Sequence, residues 1–187
     1  MIATIIIAGG KAKRFGGVDK AMVMFNQKPL IEHVISRLST QVDHVAINRA
    51  SKLQGYDLPI VPDLEGDQCG PIGGLEAAIK WAKDIKSTPE YLLTVPVDTP
   101  FLPSDLVARL LPAAEQYGAA IASTGAHLQP TISLHKIGYI THEDIQPFKH
   151  KAFRDFWAHM GADHVCFDDE RAFININSPQ DIKLYEK

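Results

Sequence analysis

Apolar residues fall into two recurring patterns along this chain: short unbroken runs, and longer stretches with an apolar residue at every third or fourth position. Unbroken runs bounded by turn formers read as buried strands. They occur at 2–8 (IATIIIA), 44–48, 58–62, 91–97 (YLLTVPV), 118–123 and 131–135, with weaker candidates at 163–167 and 173–176. Amphipathic spacing predicts helices over about 29–40, 71–86, 103–117, 151–160 and 179–186. The second of these carries Ile72, Leu75, Ala78, Ile79, Ala82 and Ile85 as one apolar stripe. The last opens Ser178-Pro179-Gln180-Asp181, a cap residue, a proline at the first helical position and an acid at the third. Such alternation predicts an α/β fold: a mostly parallel sheet between two helical layers. A flavodoxin-like domain shares this pattern, and periodicity does not separate the two. With 187 residues and no linker, repeat or low-complexity segment, one domain spanning 1–187 is expected.

Composition narrows the function classes. A net charge of −3 disfavours a general nucleic-acid coat, so any cationic site is local. Cys69 and Cys166 make neither a disulfide framework nor a metal-ligand spacing. The histidines are scattered, without a His-x-His or His-x-x-x-His pair to build a metal site. No apolar stretch approaches the roughly 18 residues of a membrane span. The N-terminal run lacks a basic leader and a cleavage site. A cytoplasmic protein with reduced thiols and no nucleic-acid or membrane partner is the expectation.

The most unusual segment is IIIAGGKAKRFGGVDK, residues 5–20, where a buried strand runs into a glycine-rich, cationic loop. It matches neither G-x-G-x-x-G nor G-x-x-x-x-G-K-[ST]. Gly9 and Gly10 form either a plain turn or a stretch of bare backbone that a base or a phosphate can approach. Arg14 and Lys20 are either solvated charges or anion ligands; Arg would offer a planar fork and Lys a point charge. Asp19 has no catalytic role in this reading, only pairing with a neighbouring cation or capping a turn. In open α/β sheets, ligands sit beyond the carboxyl ends of the strands. That rule selects Gly9-Gly10, Asn48 with Arg49 next to it, Asp63 and Asp98.

Asp98, in VPVDTP, is a turn cap or a Mg²⁺ ligand, since Mg²⁺ is bound through one or two carboxylates plus substrate phosphates. Asp63 is a turn former or a ligand contact. In CGPIGGLEAAI, Gly70, Gly73 and Gly74 serve close packing or ligand approach. In FININSP, Asn175 and Asn177 share one face of an extended segment. That segment is an edge strand, or a pair of amides able to read a polar heterocycle.

These residues together resemble the molybdenum cofactor guanylyltransferases, nucleotidyltransferases with a Rossmann-like sheet. The likeness rests on Ile7-Ala8-Gly9-Gly10-(x3)-Arg14-Phe15-Gly16-Gly17-(x)-Asp19-Lys20, on Gly70-Pro71-Ile72-(x)-Gly74, on Val97-Asp98-Thr99-Pro100 and on Asn175-Ile176-Asn177-Ser178-Pro179. Ile7 stands where the family normally has leucine, and Val97 where it often has cysteine. The resemblance implies a single-domain, three-layer sandwich of nucleotidyltransferase type. It implies transfer of GMP from GTP to the phosphate of molybdenum-molybdopterin, with diphosphate released. It implies GTP contacts at Ile7, Ala8, Gly9, Gly10, Lys20, Asn48, Asp63 and Asp98, Mg²⁺ at Asp98, and the pterin beside Asn175 and Asn177.

Lys20, Arg14 and Asp98 are the expected catalytic residues. No Ser-His-Asp or Cys-His set is evident, so a direct in-line displacement is expected. Possible partners are molybdoenzyme apoproteins or other proteins of cofactor biosynthesis. Two other readings stand beside this one. The first is a cytidylyltransferase or sugar-phosphate nucleotidyltransferase of the same fold. The second is a non-catalytic nucleotide- or cofactor-binding delivery or sensor protein.

Overall fold

The computed structural model describes residues 1–9, 11–64, 70–125 and 127–186. In chain order the elements are β1 (Ile2–Ile7), β2 (Lys11–Ala12), β3 (Val18–Asp19), β4 (Met24–Phe25), β5 (Lys28–Pro29), α1 (Leu30–Leu38), β6 (His44–Asn48) and β7 (Ile60–Val61). There follow α2 (Gly70–Asp84), β8 (Tyr91–Pro96), α3 (Leu106–Tyr117), β9 (Ala119–Thr124), β10 (His127–Lys136), α4 (His142–Ile145), α5 (Phe153–Met160), β11 (Asp163–Cys166) and α6 (Pro179–Tyr185).

One seven-stranded sheet runs in the order β11-β9-β10-β8-β1-β6-β7. The pairs β1–β6, β1–β8, β6–β7 and β9–β11 are parallel, and β10 alone runs against its neighbours β8 and β9. Both faces are covered, which explains why the strands read as continuous apolar runs rather than alternating ones. Ile6, Leu93 and Val95 point to the face covered by Ile31 and Val34 of α1 and by Leu106 and Leu110 of α3. Ile5 and Leu92 point the other way, into Ile72, Leu75 and Ala78 of α2 and Phe156 and Trp157 of α5. Successive residues of one strand thus feed two cores, and each fully buried Ile or Leu contributes roughly 1.5–3 kcal/mol.

The predicted elements recur with shifted ends. The 58–62 run pairs only over Ile60–Val61, and the 131–135 run begins earlier, at His127, with a register shift between Gln129 and Ser133. The weak strand at 173–176 does not form: the segment joins no sheet, and its backbone donates from Ile174 to the Arg171 carbonyl (3.3 Å) and from Ile176 to the Asp98 carbonyl (2.8 Å). Two small ribbons, β2–β3 and β4–β5, escaped the hydrophobic pattern because two-residue strands carry no period. The β4–β5 turn places Asn26 and Gln27 at positive φ (44° and 64°) without the Asn-Gly or Asp-Gly pair that signals such turns. The one-turn helix α4 is too short for periodicity. A reciprocal capping box between Thr141 and Asp144 sets its start.

Candidate active site

The site forms where parallel strands end together. Register places Ile7 of β1 opposite Asn48 of β6 on one side and Pro96 of β8 on the other. Two more backbone bonds keep the ends level, Ala8 N–H to the Asn48 carbonyl and Val97 N–H to the Ile7 carbonyl, both 3.1 Å. Chain direction therefore delivers Gly9, Asn48 and Asp98 to one rim, as the strand-end rule predicts.

The cationic loop is a folded ribbon. Lys11 pairs with Asp19 and Ala12 with Val18. The chain reverses through a 3₁₀ turn (Lys13–Phe15) and Gly16-Gly17, whose φ values of 74° and 84° suit glycine. Asp19 then caps a second 3₁₀ turn, Lys20–Met22, accepting the Ala21 N–H at 3.1 Å. That turn presents Lys20.

Lys20 joins residues far apart in sequence. Its Nζ donates to Asp98 Oδ2 and to Asn177 Oδ1, each at 2.5 Å. The Lys20 and Asp98 side chains are 20% and 16% exposed, shielded yet open to a ligand. Asn177 is fixed from behind by its N–H to Asp181 Oδ2 (2.8 Å) and by the adjoining bond from Ile176 N–H to the Asp98 carbonyl. Burial alone would raise the Asp181 carboxyl's pKa. Hydrogen bonds from the Asn177 and Ser178 backbones and the Ser178 hydroxyl, with the nearby Arg14 charge, lower it overall. Asn175 is exposed beside Asn177, while Ile176 between them is fully buried.

A second cluster lies on the β6–β7 side. Asn48 is buried, and its Nδ2 donates to the Val61 carbonyl (3.0 Å) and to Asp63 Oδ1 (2.8 Å). Gly74 of α2 packs against it so closely that a Cβ there would lie 2.7 Å from Asn48 Oδ1. Packing accounts for this glycine. Arg49, the next residue, donates from Nη2 to Asp19 Oδ2 at 2.6 Å.

Of the residues selected from sequence, Lys20, Asp98 and Asn177 meet directly, and Asn48 meets Asp63. Ile7 and Ala8 hold the end of β1, and Gly9 is exposed just beyond it. Arg14 is exposed and touches none of the Lys20 cluster; its influence reaches Asp181 through charge. Gly10 and Cys69 lie outside the described residues. Sequence reasoning did not assign the Arg49–Asp19 pair, and no motif could have paired residues thirty positions apart. A cleft of about 560 Å³ lies elsewhere, lined by Phe101, Arg109, Phe167, Arg171 and Tyr185 among others, and it includes none of the selected residues.

Among the described residues, no three His, Cys, Asp or Glu side chains converge as a ready-made metal cage. Asp98 still suits a hard cation completed by phosphate and water oxygens. Lys20 occupies its Oδ2, and Oδ1 accepts from no other described residue. No helix among the described residues is long and apolar enough to cross a membrane.

A mostly parallel seven-stranded sheet with helices on both faces and a glycine-rich loop at its carboxyl rim is the α/β fold of the nucleotidyltransferases. Residues 4–163 match the MobA-like NTP transferase domain, and the chain belongs to that family of enzymes. It is 36% identical to the molybdenum cofactor guanylyltransferase of Polynucleobacter asymbioticus, across 99% of this chain and 96% of that one. It is 38% identical to the molybdenum cofactor guanylyltransferase of Shewanella frigidimarina, across 96% and 92%. Its fold is that of molybdopterin-guanine dinucleotide biosynthesis protein A from Archaeoglobus fulgidus (TM-score 0.73, 20% identity, 100% and 97% coverage).

Proposed function

We propose that this chain transfers GMP from GTP to the phosphate of molybdenum-molybdopterin, releasing diphosphate. The observation that carries the assignment to this site is Lys20, held between Asp98 and Asn177 at the strand ends. One ammonium thus touches both the carboxylate assigned to the phosphate side and the amide assigned to the pterin side. The near-full-length likeness to guanylyltransferases supports the choice of substrates.

The displacement forms a bond from the cofactor's phosphate oxygen to the α-phosphorus of GTP and breaks the α–β phosphoanhydride bond. Diphosphate takes the electron pair. The attacking oxygen is already anionic, so no general base is required, and catalysis is positioning plus charge stabilisation. Lys20 stabilises charge on the transferring and leaving phosphates, with Arg14 and loop N–H groups supporting the same anion. Gly9 lets GTP approach the end of β1, alongside Ile7 and Ala8. The Asn48–Asp63 pair forms a fixed polar wall for the nucleoside. Asn175 and Asn177 face the pterin. Mg²⁺ held by Asp98 would neutralise phosphate charge when bound. Handover of the product to molybdoenzyme apoproteins or other cofactor-biosynthesis proteins, in the cytoplasm, belongs to the same proposal.

Calorimetry of GTP and CTP binding, with and without Mg²⁺, tests the reading. GTP is expected to bind at least about thirtyfold tighter than CTP, roughly 2 kcal/mol, with diphosphate appearing once the pterin substrate is added. Equal binding or a CTP preference would assign the chain to a relative of other specificity. GTP binding without diphosphate release would leave a delivery or sensor protein.

A further inference from the structure

We propose that Arg49 and Asp19 form a latch that sets the position of Lys20, which makes Arg49 a positioning residue for the transfer reaction. The inference rests on the role given to Lys20 above. One carboxylate does two jobs here. Asp19 Oδ1 accepts the Ala21 N–H at 3.1 Å and so winds the turn on which Lys20 sits. Oδ2 accepts Arg49 Nη2 at 2.6 Å and so ties that turn to the end of β6. Lys20 lies in the chain between Asp19 and Ala21, inside the turn that this carboxylate closes.

The anchor is firm. Arg49 donates its own backbone N–H to the Val61 carbonyl at 3.2 Å, and its neighbour Asn48 is locked by Val61, Asp63 and Gly74. The turn that carries Lys20 is thereby referenced to the carboxyl rim of the sheet, which carries Asn48 and, two strands away, Asp98. The pair also settles a competition for charge. Asp19 adjoins Lys20, and without Arg49 its Oδ2 would be free to draw the ammonium away from Asp98 and from an incoming phosphate.

Folding alone gives little reason for an arginine here. Its side chain is only 13% exposed, and Nε and Nη1 are buried with no partner among the described residues. Unmet buried donors on a charged group reduce stability, and an apolar side chain of similar length would not carry that cost. Local rules broken without a folding gain are expected at functional sites.

Steady-state kinetics of Arg49→Met, Asp19→Asn, the double variant and Lys20→Ala test the latch, alongside thermal melts. Asp19→Asn retains an oxygen to cap Ala21, so it keeps the turn even if Arg49→Met folds poorly. Expected losses in kcat are about 30-fold for Arg49→Met and about 10-fold for Asp19→Asn. KM for GTP should stay within about threefold, and Arg49→Met should melt no lower than wild type. Because both act through one contact, the double variant should be no worse than Arg49→Met. Multiplied losses near 300-fold, a loss confined to KM for GTP, or wild-type kcat in both single variants would overturn the latch. If Lys20→Ala is inactive while Arg49→Met is unaffected, the latch alone falls. If Lys20→Ala keeps wild-type kcat, the role of Lys20 falls and the latch with it.

Discussion

Two polar residues of the sheet, Asn48 and His135, meet burial in opposite ways. In the parallel half, β8-β1-β6-β7, Asn48 and Asp98 sit at the carboxyl edge and find partners: Asn48 with Val61 and Asp63, Asp98 with Lys20. In the other half, His135 lies one residue before the end of β10, between Leu92 of β8 and Ala119 of β9. It is fully buried against Trp157, with ring centroids 5.4 Å apart, and neither ring nitrogen has a partner among the described residues. Burial pulls its pKa down to about 3. Short hydroxyls within the sheet still find partners, Thr94 with Ser133 and Thr131 and Ser123 with the Val165 carbonyl, but the His135 ring is packed against Trp157 and finds nothing to bond among the described residues. At the edge the ladder stops, and side chains from several strands meet. The unpartnered His135 ring therefore costs stability, whereas the bonded side chains of the rim are available for chemistry.

The largest expected effects break the polar rim. Lys20→Ala should lose about 2–4 kcal/mol of transition-state stabilisation, read as kcat/KM, with little change in melting temperature. Asp98→Asn keeps the shape while removing the charge, and should abolish the Mg²⁺ dependence of turnover. A variant with wild-type Mg²⁺ dependence would remove the metal from Asp98.

Gly74→Ala attacks the rim through packing. The new Cβ would collide with Asn48 Oδ1 at 2.7 Å, and Asn48 is buried and doubly bonded. Denaturant titration should show a loss of about 1–3 kcal/mol, and GTP affinity should fall as Asn48 turns away from Asp63. Stability lost with GTP affinity unchanged would separate Asn48 from nucleotide binding.

His135 sharpens the contrast from the other half. Its folded pKa of about 3 lies below the ordinary histidine value of 6.5, so the unfolded chain binds more protons between those limits. Its neutral form gives full stability above pH 6.5, and stability falls as pH drops towards 3, by at most about 1.4 kcal/mol per pH unit. The drop in urea midpoint from pH 7 to pH 5 should be smaller in His135→Met than in wild type; an equal drop would show that desolvation of this ring is not the cause. The smallest expected effect is Ser178→Ala, which removes the side-chain cap of α6 from the Asp181 N–H and should cost about 0.5–1 kcal/mol by denaturant titration.

Much of this molecule is local physics written into the chain. Continuous runs such as IATIII and YLLTVP have almost no polar position to place in water, so they determine strands buried on both faces. The 3.6-residue spacing from Ile72 onwards determines a helix against the sheet, and Ser178-Pro179 determines where the last helix begins. Because parallel strands share a direction, the positions just after them mark Gly9, Asn48, Asp63 and Asp98 as a group from residue order alone. Contacts across the fold are another matter. Lys20 reaches Asp98 and Asn177 over separations of 78 and 157 residues, and Arg49 reaches Asp19 over 30. Such pairings depend on strand order and on how a ribbon folds back, and neither leaves a periodic trace. The same holds for Gly74, whose sequence context allows ligand approach or packing equally, and which the fold sets against Asn48. Residue types and spacing determined which groups stand at the rim; only the tertiary structure decided which of them touch, because side-chain contacts are set by three-dimensional distance and not by separation along the chain.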